Sequence, residues 1–463
     1  MTVIATRVGR ELKHMAIDSH SMAGFMKPMR PLAVGLVVFA FVGLSSWELR
    51  PAIAQYSFEE APILYGRSRA TDRVAKLAEK MAAGDIKLEY DEKHDYLAAV
   101  LKELEIPVSS QALVFSKTSL QLHRISPETP RAIYFNDDVY VGWVQDGYMI
   151  EFASMDDHLG GVFYSLRLDG ASPQLSRDRG GCIACHSSMR TQRVPGFFIR
   201  SVFPRHDGRP RETGTVTDHR SPFEGRWGGW YVTGTHGEMR HLGNEIATDP
   251  EISEKLDVER GANVTSLSDR LDLSRYPSPH SDIVALLVME HQMQMQNFIT
   301  LANYETRKAI ASDPLSTDAQ ANTNGSAPTL DQLSEETRKR ISVAGEKLVE
   351  YMLFCDEAPL TAPIKGTSTF EAEFAARGPE DSQGRSLRQF DLKSRLFRYP
   401  CSYLIHSSAF DALPQPMLDY VRTRMRTIIA GEDKSERFSH LTATDRTAIA
   451  EILAETKPGF LAP

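Results

Sequence analysis

Apolar residues follow three rhythms in succession along this chain. Over residues 72–106 they recur at helical spacing. Val74, Leu77, Ala78 and Met81 form one stripe, and Leu97, Val100, Leu101 and Leu104 form a second that ends before Pro107. The spacing predicts an N-terminal helical cap over residues 55–110. From Gln111 the rhythm shortens to runs rich in β-branched and aromatic residues, at 112–115, 132–135, 139–144, 148–152 and 162–166. Asn136-Asp137-Asp138, Asp146-Gly147 and Asp169-Gly170 punctuate them as turns, so residues 111–249 are expected to form a mainly antiparallel β domain. Trp143, Trp227 and Trp230 all lie in this segment, which makes it aromatic-rich.

After Asp249 the helical rhythm returns. It is clearest from Ser281 to Ala311, where Ile283, Leu286, Leu287, His291, Met295 and Phe298 share one face, and it places a helical segment at 250–311. The polar stretch 312–330 reads as a linker. Helices are then expected near 331–355, 415–430 and 444–456, within a mostly helical C-terminal region, 331–463. The fold class that follows is α+β.

The first 54 residues break this pattern. Lys27 and Arg30 precede the apolar run Leu32–Leu44, and Ala52-Ile53-Ala54 follows it, which is the order of parts in a secretory signal peptide. The run is short against the roughly 20 apolar residues that span a bilayer, so cleavage after Ala54 is expected over an uncleaved anchor. The long stretch before it suggests that translation starts at Met22 or Met26. The protein is therefore expected in the periplasm or outside the cell, without stable membrane insertion. Without residues 1–54, 47 basic side chains face 58 acidic ones, a balance of −11. Such a chain repels phosphate backbones, which excludes nucleic acid as an expected partner.

The chemistry is concentrated in Cys182-Ile183-Ala184-Cys185-His186. Two thiols at this spacing can add across the two vinyl groups of one haem, and the imidazole directly after the second thiol can reach its iron. Cys182 and Cys185 are thus the expected thioether donors and His186 the proximal ligand of one covalent haem c. A zinc site would need a second ligand pair at similar spacing, and neither Cys355 nor Cys401 has a partner two or three residues away. Cys355 and Cys401 are either a disulfide or two buried thiols. Candidates for the iron's sixth position are Met189, His206, His219, His236, Met239 and His241, with His291 further on. His236, in a glycine-bounded turn after Trp227-Gly-Gly-Trp230, is the one selected. Arg200, Arg205, Arg209 and Arg220 are candidate partners of the haem propionates.

The five residues 182–186 resemble the haem-binding signature of the c-type cytochromes. That resemblance implies covalent haem, export in an unfolded state and periplasmic maturation. The approach Arg177-Asp-Arg-Gly-Gly181 departs from the small helical cytochrome c pattern. The aromatic strands Val162–Leu166 and Phe197–Phe203 around the motif look like the cytochrome c-prime-beta group, which implies a haem lying against a sheet with an apolar distal side. The whole chain also looks like large, uncharacterised bacterial proteins with a single cytochrome c-type domain. Electron transfer in the periplasm is the expected function, with a redox partner whose basic surface suits the acidic chain. The alternatives are a haem enzyme or gas-binding protein acting on a peroxide or a nitrogen oxide at an open iron site, and an interaction protein docking through its helical half.

Overall fold

The computed structural model describes residues 57–168, 173–211, 213–247, 256–315 and 328–462. The expected signal peptide and most of the expected linker lie outside them. The fold is α+β. Six strands form one antiparallel meander in chain order: β1 Ala112–Val114, β2 Arg131–Phe135, β3 Val139–Trp143, β4 Met149–Asp156, β5 Gly160–Arg167 and β6 Gln174–Arg177. β1 to β5 fall on the apolar runs. β6 carries no such run, because it is an edge strand with exposed Gln174 and Ser176, and nothing on its outer side demands alternation.

The period-2 register sorts the sheet's side chains into two faces. Phe152 pairs with Tyr164 and with Val141 on one face, which the N-terminal helices cover. These are α1, Arg73–Ala83, and α2, Leu97–Glu103. The sequence reads 72–106 as helical throughout, but the chain leaves α1 at Gly84, whose φ of 81° is the left-handed helix-ending conformation. On the other face Tyr140, Ala153 and Phe163 lie in one row across β3, β4 and β5, and Gly142, Glu151 and Ser165 form the next.

After a single turn at Ile183–His186, α3, the chain is irregular, with short paired strands at β7 Ile199–Ser201 and β8 Thr215–Thr217. β9 Gly234–Thr235 pairs with β10 Lys365–Gly366. Part of the expected β domain is therefore completed by the C-terminal region. The described residues between 57 and 462 form one compact unit.

The centre of that unit is α4, Ile283–Ser312, 30 residues and about 45 Å long at 1.5 Å per residue. Its limits agree with the sequence, but its environment does not. Every residue from Ile283 to Thr300 is buried, so the helix has no solvent face there and the one-sided stripe is not the organising feature. The sheet packs on one side, and α5 Glu335–Met352 and α6 Gln415–Ile429 pack on others. Its polar side chains survive burial because they hydrogen-bond. Gln292 Nε2 donates to Asn136 O and Tyr140 Oη, Tyr403 Oη donates to Gln292 Oε1, and Tyr140 Oη donates to Gln296 Oε1. Among the described residues no helix is long and apolar enough to cross a membrane. Cys355 and Cys401 are two buried free thiols, each pushed up to about 12 by burial.

Candidate functional site

The motif sits where β6 hands the chain to α3. Asp178 shapes the turn, its Oδ2 accepting from the N–H groups of Gly180 and Cys182 at 3.2 and 2.9 Å. Ile183 enters the core, whereas Cys185 is exposed. Cys182 and Cys185 are three residues apart across one helical turn, which brings their side chains to the same side of it. Ser187 Oγ and Ser188 Oγ donate to the Ile183 and Cys185 carbonyls, satisfying acceptors that the short helix leaves open.

His186 is held by one residue twice. Gly196 N donates to the His186 carbonyl at 2.9 Å, and His186 Nδ1 lies 2.9 Å from the Gly196 carbonyl. A carbonyl only accepts, so the proton is on Nδ1 and the lone pair is on Nε2. Nε2 makes no hydrogen bond among the described residues. The ring packs between Phe163 at 4.7 Å and Phe198 at 4.9 Å. Burial lowers its pKa to about 4, so the imidazole is neutral at neutral pH. These are the properties of a histidine prepared to ligate a metal through Nε2, since the bond made by one ring nitrogen sets the role of the other.

The hold on His186 reaches back to α4. Asn297 accepts from Phe197 N at 2.9 Å and donates to Phe197 O at 2.7 Å. It also closes against Gly196, where a Cβ would collide with Asn297 Oδ1. A side chain at Gly196 would displace the Asn297 amide from Phe197. Neither Gly196 nor Asn297 is legible in the sequence, because neither stands near the motif in a recognised spacing.

Burial, and then the neighbouring Asp178 carboxylate, push the Cys182 thiol up to about 12. It is therefore a protonated thiol. The burial and the carboxylate both disfavour a free thiolate at Cys182. Thioether formation consumes thiols, and the two cysteines are free.

Beyond Phe163, the next row of the sheet face carries an ion pair. Arg131 crosses β3 over Gly142 and meets Glu151 Oε2 on β4 at 3.1 Å, both side chains being largely buried. Arg131 Nε is buried without a hydrogen-bond partner. Both groups act electrostatically on His186 and Cys182. The face of the sheet that carries Phe163 is therefore charged one row further on.

His236 is buried in a different setting. Its Nδ1 lies 2.8 Å from Met239 O, and its Nε2 accepts from Asn263 N at 3.0 Å. Neither nitrogen is left for an iron in this arrangement, and its ring neighbours are Phe223 and His241, not the motif's Phe163 and Phe198. His219 and His291 share an Nδ1 to Nδ1 hydrogen bond of 2.8 Å, and His291 Nε2 bonds Ser402 Oγ at 2.8 Å. Met189 is exposed, with its Sδ accepting from Arg193. Met239 is buried in the core, and His206 is exposed. Of the four arginines expected at propionates, Arg220 pairs with Asp218 and Arg209 with Asp207. Arg205 is exposed without an ion pair among the described residues. Arg200 has a buried Nε without a partner and feels Arg190 and Cys185, so it alone of the four is placed beside the motif.

No family model matches this chain, and neither a curated protein nor a solved structure shows significant similarity to it.

Proposed function

We propose that this protein is an exported monohaem c-type cytochrome that transfers electrons in the periplasm through one haem held by Cys182, Cys185 and His186. The observation that carries this reading is the state of His186. Its Nδ1–H is bound to Gly196 O, its Nε2 lone pair is free, and two free cysteines, Cys182 and Cys185, stand one helical turn apart beside it. A bound haem would supply a one-electron iron couple at this corner. The chain supplies the rest. Gly196 and Asn297 hold the imidazole's orientation, Phe163 and Phe198 pack its faces, and Arg200 is available to a propionate.

A second reading has its own support. With both His236 nitrogens bonded to backbone, and the Arg131–Glu151 pair on the sheet beside the motif, a haem enzyme or gas-binding protein with an open iron site acting on a peroxide or nitrogen oxide fits the same corner. One experiment separates the two. The purified protein is treated with alkaline pyridine to detect covalent haem c, then reduced and exposed to CO. A haem c spectrum unchanged by CO supports electron transfer. A CO-shifted Soret band favours the open site, and absence of haem c overturns both.

A further inference from the structure

The face of the sheet that the N-terminal helices cover is left open at its β6 end. An open cleft of about 510 Å³ lies there between α1, β5, β6 and the chain before α1. Arg67, Arg69, Arg177 and Arg179 line it, and none of its other lining residues is acidic. No residue of the motif reaches it. Tyr164 in its wall stands on the face opposite Phe163, the ring that packs on His186. A volume of this size is in the range that takes a small molecule.

Strand register puts the first of these charges in place. Arg177 on β6 is paired with Tyr164 on β5, so both side chains belong to the α1 side of the sheet. Arg177 is held before any ligand arrives. Its Nη1 donates to Ser68 O at 2.8 Å and its Nη2 to Tyr65 O at 2.9 Å, and the guanidinium lies 4.9 Å over the Tyr65 ring. Carbonyls satisfy N–H groups without cancelling charge, and Arg177 forms no ion pair among the described residues. Fixing a long side chain in advance removes rotamer entropy that binding would otherwise cost. Arg67 and Arg179 are exposed and also form no ion pair among the described residues. Arg69 meets Glu79 at 2.6 Å, but both side chains are exposed, so that pair holds it weakly. The nearest carboxylates are engaged elsewhere. Asp72 accepts from Tyr164 Oη and from the amides of Val74 and Ala75, and Asp178 accepts from Gly180 N and Cys182 N on the motif side.

We propose that this cleft binds a small organic carboxylate, its charged end held by Arg177 with Arg67 and Arg179 and its hydrocarbon part lying on Ala75, Ala78 and the Tyr164 ring. Guanidinium forks bind carboxylates in bidentate geometry, and the two alanines leave the apolar space that a bare inorganic anion would not use. The Tyr164 hydroxyl is committed to Asp72, so that residue contributes its ring. The formal charge of −8 does not oppose the anion, because at physiological salt the Debye length is about 8 Å and the nearest guanidinium groups set the local field. The site does not depend on haem.

The test is calorimetric titration of the full protein at low salt with three probes: hexanoate, hexanol and inorganic phosphate. Hexanoate is expected to bind at one site, about tenfold more tightly than either hexanol, which lacks the charge, or phosphate, which lacks the hydrocarbon. Arg177→Gln is expected to weaken hexanoate about tenfold. The double variant Arg67→Glu, Arg179→Glu changes only exposed side chains and is expected to do the same with its melting temperature unaltered, so the result does not depend on how well Arg177→Gln folds. Ala78→Leu on α1 fills the cleft without changing its charge and is expected to weaken hexanoate while leaving the response to phosphate as it was. The control Arg338→Glu, Lys339→Glu on α5 changes net charge as much as the double variant does and is expected to leave hexanoate binding unchanged. Hexanoate held no more tightly than hexanol overturns the charged end of the site, and phosphate held as tightly as hexanoate overturns the carboxylate assignment. Hexanoate binding that survives both the double variant and Ala78→Leu, or that the control weakens equally, overturns the cleft as its place.

Discussion

The corner at Cys182–His186 and the core around α4 both hold neutral, buried or partly buried histidines, and they surround them differently. In the core, His291 has both ring nitrogens bonded, to His219 and Ser402, and His236 has both bonded to backbone. At the corner, His186 has one nitrogen bonded and one free; in the core His219 does too, its Nε2 buried without a partner between the stacked rings of Tyr351 and Phe354. A buried polar atom without a partner costs roughly 1–3 kcal/mol, so a folded chain tolerates one only where something else satisfies it or where it reaches solvent. The comparison teaches that burial alone does not mark a ligand. Nor does a free second nitrogen, which His219 also has; at His186 it stands beside two free cysteines.

The largest effect that could break this contrast is complete loss of covalent haem. The double variant Cys182→Ala, Cys185→Ala is expected to show no haem c band in the pyridine assay, whereas Cys355→Ala and Cys401→Ala retain it. Retention of covalent haem by the double variant would remove the distinction between the motif and the core thiols. Next comes the core's own electrostatics. Arg226 Nη1 pairs with Glu290 Oε2 at 3.0 Å with both side chains buried, and Arg226 also donates to the His219 and Ser221 carbonyls. Arg226→Ala strands a buried carboxylate and is expected to cost about 3–5 kcal/mol in denaturant unfolding. Haem attachment in whatever fraction folds should be unaffected.

A smaller effect is the response to acid. Burial lowers His241 to about 3 and the motif's His186 to about 4, from an unfolded value near 6.5. For both, the unfolded chain binds the proton more tightly. Their contribution is therefore present above about pH 6.5 and is lost as pH falls toward 4. His241 alone amounts to about 2 kcal/mol at pH 5. Melting temperatures recorded from pH 8 to pH 5 should stay level and then fall, and His241→Gln should flatten the fall. An unchanged acid slope in that variant would show that His241 is not protected from protonation by the fold.

The smallest expected effect sharpens the contrast most. His236→Gln keeps a side chain able to bond backbone and should change stability by about 1 kcal/mol, with the optical spectrum of the haem protein unaltered. A spectral shift would mean that His236 leaves its backbone partners when haem is present.

Parts of this fold were legible in local pattern. The strands from β1 to β5 announce themselves because half of each strand's side chains must be apolar, and the limits of α4 are signalled by Asp282, whose side chain accepts from Val284 N, and by the polar tract after Ser312. β6 escaped notice because an exposed edge carries no such demand. Aromatic and β-branched residues fill the stretch after Arg177 and predict strand there. In the structure its backbone groups are largely met one at a time, as when Asn244 Oδ1 accepts from Val232 N and Nδ2 donates to Val232 O. Such bonds leave no periodicity to read. Of the candidate site, the three motif residues were visible, and the residues that position them were not.

The sequence by itself determined the chemical identity of the motif, the order of helical and extended segments and the acidic charge of the chain. These depend on residue types and on spacings within one or two turns. Only the tertiary structure decided how each buried histidine's nitrogens are met, that α4 is buried on all sides from Ile283 to Thr300, and that Gly196 and Asn297 set the orientation of His186. Each of these depends on contacts between residues far apart in the chain, such as Asn297 with Phe197, and no local pattern records them.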